Sequence, residues 1–286
     1  MKERFTSLSP FLQVLALILV GVVSFILLSM FTALVIHFFY PEIPSYNFTR
    51  LATEHPIIFM LMNFVPFQLG FLLTPGMVYL YMNKNALDAL HFRFNPSTIW
   101  AFSIFICTFF LLPFFSGIND WITNALGVYD FLMEQKLKSD ELLIQIIGKK
   151  SSNEAYIMGL IVIGLITGIA EELFFRGFLF HHLLRHTNKL NLSVFGSALF
   201  FALLHFNYVQ LLPLIAFGIV LALMYYVSKS IWPGVLMHSA NNMLNVYWLR
   251  NDNFPDWMEY VWWEITIPST LLLMGLIYLK QRISAD

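Results

Sequence analysis

The chain has 286 residues, with 17 acidic and 16 basic side chains, a formal net charge of -1, 58% apolar residues and only 12% charged ones. Soluble domains carry about 25% charged residues, so this composition excludes a globule that faces water on all sides. The near-neutral balance also leaves no basic face able to neutralise a phosphate backbone, which removes nucleic acid from the expected partners.

Lys2 and Arg4 precede an apolar run over residues 11–40 in which His37 is the one titratable group besides Tyr40. A secretory hydrophobic region is about 7–15 residues long, so this run is expected to stay as a first membrane span. A bilayer core about 30 Å thick needs roughly 20 helical residues. Further runs of that kind lie at 56–82 and 97–118, and then at 155–170, 190–204, 206–228, 230–249 and 260–279. Trp257, Tyr260, Trp262 and Trp263 beside the last run predict an aromatic belt at a membrane surface. Between the third and fourth runs, residues 119–154 are polar, yet Phe131, Leu132, Leu142, Leu143, Ile146 and Ile147 recur at near-helical spacing. That pattern predicts a helix lying in the interface. The single cysteine, Cys107, sits in an apolar run, where no internal disulfide is possible and packing is its expected role.

The fold class is therefore all-α: a polytopic transmembrane helical bundle of about eight spans. Basic residues set the expected orientation. With both termini cytoplasmic, the inner side receives Lys2, Arg4, Lys84, Arg93, Arg185, Lys189, Lys229, Lys280 and Arg282. The outer side receives Arg50, Lys136, Lys138, Lys149, Lys150 and Arg250. The compact loops point to a bacterial inner membrane.

Two runs are too short to cross unless they take in ionisable residues. The run 155–170 has to continue through Glu171, Glu172 and on to Arg176, and the run 190–204 is followed by His205. His238 lies near the middle of 230–249. Each charge in a hydrocarbon core costs about 2.5–3.5 kcal/mol on insertion scales, so three such placements call for a chemical reason. Helical spacing sorts them. Glu172 and Arg176 are i and i+4 and pair along one face. Glu171 is turned about 100° away and is free to face a cavity. His238 and Asn242 point the same way, and Phe201 sits one turn before His205 to support its ring. A carboxylate beside a histidine can orient and deprotonate water, while a second histidine and an amide can donate to an oxyanion.

At these residues the chain resembles the CAAX-protease and bacteriocin-processing (CPBP, or Abi) intramembrane proteases. The marks are Glu171-Glu172-Leu173-Phe174-Phe175-Arg176, then Phe201-Ala202-Leu203-Leu204-His205, then His238-Ser239-Ala240-Asn241-Asn242. The resemblance spans about 155–249. It divides one integrated membrane domain into N-terminal spans with an interfacial loop (1–154), a catalytic core (155–249), and a last span with a cytoplasmic tail (250–286). It implies an endopeptidase whose site opens toward the cytoplasm and whose substrates are membrane-associated proteins or peptides, prenylated in eukaryotic relatives. By position, Glu171 would activate water with His205 as its partner. His238 and Asn242 would hold the oxyanion, with Glu172, Arg176 and Phe201 in support. The family has been described both as metalloproteases and as metal-independent. No cofactor is favoured here; a zinc site would have to be made of Glu171, His205 and His238.

Two other classes compete. A proton-coupled transporter also places Glu and His inside spans, but it would show two related halves, and here the intramembrane acids and motif histidines lie in one half. A non-catalytic membrane scaffold is the third reading, which the intact motifs disfavour. His181, His182 and His186 follow the first motif; an interfacial position accounts for them without a metal.

Overall fold

A computed structural model describes residue 5 and residues 7–41, 48–83, 88–90 and 96–252. The first long helix, α1, runs over Pro10–Phe39. It starts where Ser9 Oγ accepts the Leu12 N–H at 3.4 Å and Pro10 occupies the first turn, where its missing N–H costs nothing. The short α2 (Phe48–Glu54) leads into α3 (Pro56–Met82), which packs closely along α1. Next come α4 (Pro96–Phe109) and α5 (Leu112–Ala125), which meet at a 46° bend. Pro113 in the first turn of α5 cannot donate into the preceding turn, so the run expected as one span at 97–118 is broken. The polar segment forms α6 (Tyr129–Ile147). Its far end, Ile146 and Ile147, is buried against Leu51, Phe59, Ala155 and Val246, while Phe131 is exposed.

The second half is built from α7 (Asn153–Thr187), α8 (Leu190–Leu204), α9 (Leu211–Ser228) and α10 (Trp232–Asn251). Asn188, Lys229 and Asp252 end α7, α9 and α10 in left-handed conformations, each returning its N–H to a carbonyl of the last turn. Four helical stretches among the described residues are long and apolar enough to cross a membrane: α1, α3, α7, and Tyr208–Ser228, which is α9 with its lead-in turn. The bent α4–α5 pair makes five. The chain is thus an all-α membrane bundle. The helix expected over 230–249 is present as α10, but its polar residues keep it out of the apolar set. The expected span at 260–279 and its aromatic belt lie outside the described residues.

One apolar core crosses the boundary drawn at residue 154. Leu17, Leu72, Tyr79 and Leu80 from α1 and α3 share it with Phe174, Phe178, Phe201, Leu221 and Val235. Within α7, residues 160–166 and 173–180 are wound as wider π turns on either side of an ordinary α turn at Thr167–Glu172. Thr167 Oγ1 takes up a carbonyl five residues back, on Val162, at 3.0 Å. The C-terminal half of α7 packs on α8, and its N-terminal half packs on α10. The helices that carry the two motif histidines thus pack on different halves of the helix that carries the carboxylates.

Candidate functional site

The buried ion pair expected from i, i+4 spacing is formed. Arg176 Nη1 donates to Glu172 Oε1 at 2.7 Å, with both side chains sealed from solvent. A lone buried charge at this position would cost several kcal/mol; here the guanidinium gains two further partners. Its Nη2 donates to the Gly218 carbonyl on α9 at 3.0 Å, and its carbon lies 5.1 Å from the centre of the Phe201 ring. The same Glu172 Oε1 also accepts from His238 Nδ1 at 2.9 Å. One carboxylate therefore ties α7 to α10 as well as to Arg176.

Glu171 does not point wholly away from its neighbour, as simple rotation predicts. Its Oε2 lies 3.6 Å from His238 Nε2 and 3.8 Å from His205 Nε2. The two adjacent carboxylates thus meet opposite edges of one imidazole, because His238 is wedged against the turn that carries both. Those two distances exceed direct hydrogen bonds, and Glu171 Oε2 is buried without a hydrogen-bond partner. The ring protons follow from the partners. The Phe201 carbonyl can only accept, so His205 Nδ1, at 2.7 Å, carries a hydrogen. Glu172 Oε1 already accepts from Arg176, so His238 Nδ1 carries one too. A ring that carries no second proton presents an Nε2 lone pair to Glu171 Oε2. Access is one-sided: the His205 side chain is 29% exposed and that of His238 2%.

Phe201 supports more than the one histidine expected. Its buried ring lies 4.4 Å from His205 and 5.6 Å from His238, besides its contact with Arg176. Asn242 is one turn beyond His238 and half-buried. Its carboxamide oxygen accepts a long 3.5 Å bond from Asn241, and no hydrogen bond joins it to Glu171 or to either histidine.

Several participants were missed by sequence reasoning. Phe217 packs edge-on to His238 at 5.4 Å. Gly234 lets Glu172 fit, since a Cβ there would meet Glu172 Oε2 at 2.8 Å. A Cβ on Gly168 would meet the Ser239 backbone nitrogen at 2.9 Å. These glycines stand one turn before His238 and Glu172 respectively, a spacing that is visible in the sequence.

His205 is not inside a helix; it caps the C-terminal end of α8, and Phe206 follows at φ 52°. The connection to α9 is pinned from a distance by buried Asn119 on α5. Its Nδ2 donates to the Tyr208 and Val209 carbonyls at 3.2 and 2.8 Å, and its Oδ1 accepts the Leu212 N–H at 3.1 Å. His181 and His182 serve packing: His181 Nδ1 meets Tyr79 Oη at 3.0 Å and His182 Nε2 donates to the Pro10 carbonyl at 3.1 Å, tying α7 to α3 and α1.

One carboxylate and two Nε2 atoms, with both Nδ1 positions engaged, form a donor set chemically suited to zinc. Among the described residues, however, no group of three or more His, Cys, Asp or Glu side chains is arranged to hold a metal ion.

Residues 153–244 match the family model described as Rce1-like, type II CAAX prenyl endopeptidase Rce1-like. The match contains Glu171, Glu172, Arg176, Phe201, His205, His238 and Asn242. No curated protein and no solved structure matches the chain.

Proposed function

We propose, with the Rce1-like match over residues 153–244 as the premise, that this protein is an intramembrane endopeptidase of the CAAX-processing type. Its substrate is a membrane-associated protein or peptide. The observation that carries the reading is the unpartnered, buried Glu171 Oε2 facing two imidazole nitrogens at 3.6 and 3.8 Å. Those separations exceed direct hydrogen bonds, so a water admitted from the exposed His205 side would join the groups with a small widening between them. Water donates one hydrogen to Glu171 and is oriented by His205 Nε2. Glu171 takes the proton as the water oxygen bonds to the peptide carbonyl carbon. When the C–N bond breaks, the same proton passes to the leaving amine.

Charge balance supports the proton bookkeeping. Glu171, Glu172 and Arg176 sum to -1 when ionised, so a single proton shared among Glu171 and the two Nε2 atoms neutralises the buried group. His238 can donate to an oxyanion only when that proton is on its Nε2, while Glu172 holds Nδ1 and fixes the ring's orientation. Asn242, on the same face of α10, supplies the second donor. α8 spans only about 22 Å by helix rise, so His205 sits where the helix stops short of a full crossing. Non-helical backbone at such depth is tolerated where it lines a wet cavity.

The test is cleavage by purified protein in detergent or liposomes of a prenylated peptide and its unmodified counterpart, with the products read by mass. Cleavage of neither, under conditions where the protein is folded, would sink the protease reading. Chelation by 1,10-phenanthroline is expected to leave turnover unchanged, because Glu171 activates water directly. Loss of activity that zinc restores would transfer the role to a metal held by Glu171, His205 and His238. Asn242→Ala is expected to lower kcat by about 10²–10³, the usual cost of removing an oxyanion donor; an unaltered kcat removes it from the reaction. Asn119→Ala frees the link behind His205, and misplacement of the order of 1 Å costs about 10²-fold. A fall of that order in turnover is expected, against a melting temperature lowered by only a few degrees. Wild-type turnover would show that the link does not place His205.

A further inference from the structure

A row of carboxamides runs along α10 away from the Glu171–His238 group, and its hydrogen bonds join it to no other helix among the described residues. Ser239, Met243 and Val246 face α7, where they lie against Gly168, Gly164 and Gly159. Leu236, Leu244 and Tyr247 are exposed on another side. At about 100° per residue, His238, Asn241, Asn242, Asn245 and Leu249 form a row between those faces. The three asparagines are half-buried. Amides in membrane helices usually join one helix to another, but these do not. Asn241 Nδ2 donates to Asn242 Oδ1 at 3.5 Å, Asn245 Nδ2 donates to the Asn241 carbonyl at 2.9 Å, and neither bond leaves α10. The row ends at Leu249, which lines a cavity of about 940 Å³ together with Ile144, Lys149 and Lys150.

We propose that this row binds the main chain of the substrate in extended form, leading from the bond to be cut to the cavity at Leu249; the inference rests on the protease reading. The dimensions agree. Asn241 and Asn245 are about 6 Å apart along the helix axis, and alternate residues of an extended chain repeat every 6.6 Å or so. From His238 to Leu249 the rise is about 16 Å, or roughly five extended residues. A carboxamide offers both donors and an acceptor, so it pairs with peptide N–H and C=O groups whatever the side chains. Selection along the row is therefore by length and extension, and the cavity receives what lies beyond about the fifth residue.

The experiment is a series of peptides sharing one cleavage site and lengthened residue by residue on either flank. Wild-type protein is compared with Asn241→Leu and Asn245→Leu, whose new side chains suit a membrane helix. In the wild type, kcat/KM is expected to rise with extension on one flank and level off near five residues. In each variant the ratio of kcat/KM for long over short peptides falls by roughly 2- to 10-fold, the worth of one hydrogen bond. A wild type that cuts all lengths equally, or variants that keep the full ratio, overturns the row while leaving the protease reading standing. A wild type that cuts no peptide overturns both.

Discussion

Glu171→Ala is expected to abolish cleavage while leaving the protein inserted and folded. The reason lies in what Glu171 does not do. Its Oε2 has no hydrogen-bond partner and it joins no close ion pair, whereas Glu172 beside it holds two partners at 2.7 and 2.9 Å. Removing Glu171 therefore breaks no hydrogen bond between helices, so the thermal midpoint should hold. Glu171→Gln should be equally inactive, because the amide keeps the shape but cannot take a proton. The same is expected of His205→Ala and His238→Ala. Cleavage by purified Glu171→Ala at the wild-type rate would end the base assignment.

Arg176→Met has the largest expected effect on stability. The guanidinium is fully buried, and its loss strands Glu172 without its counter-charge and removes the added donor to the Gly218 carbonyl. Breaking a buried pair from one side costs about 3–5 kcal/mol, a large share of a typical total stability, so a steep drop in the midpoint of unfolding in detergent is expected. The double variant Glu172→Gln with Arg176→Met separates fold from chemistry. With both charges gone, much of the stability returns, but His238 then lacks its anion and cleavage stays low. If the single variant melts like the wild type, the pair is not what holds α7 in place.

Much of this site was legible in the sequence because helical spacing converts directly into side-chain direction. Glu172 with Arg176 needed only i, i+4, and the shortness of 155–170 and 190–204 singled out Glu171 and His205 as residues expected at membrane depth. What spacing along one helix cannot report is which helices meet. The reach of Glu172 to His238 crosses from α7 to α10, and the hold of Asn119 on the link behind His205 joins residues 89 to 93 positions apart. The break at Pro113 is a local signal, but hydropathy averaged over 97–118 conceals it. The helix expected over 119–154 is there as α6; its end is buried by Leu51 and Val246, neighbours that its own sequence does not name.

The two widened stretches of α7 have a consequence for how this segment tolerates change in length. A π turn holds surplus residues that an α turn would not, and one residue more or fewer rotates everything beyond it by about 100°. The α turn at Thr167–Glu172 lies between two such stretches, so its bearing toward α9 and α10 depends on how much slack each retains. Deleting more residues from 160–166 than its π turns hold in surplus would swing both carboxylates off His238 without altering any residue of the motif. The count of residues in that stretch is thus as much a part of the chemistry as the acids themselves.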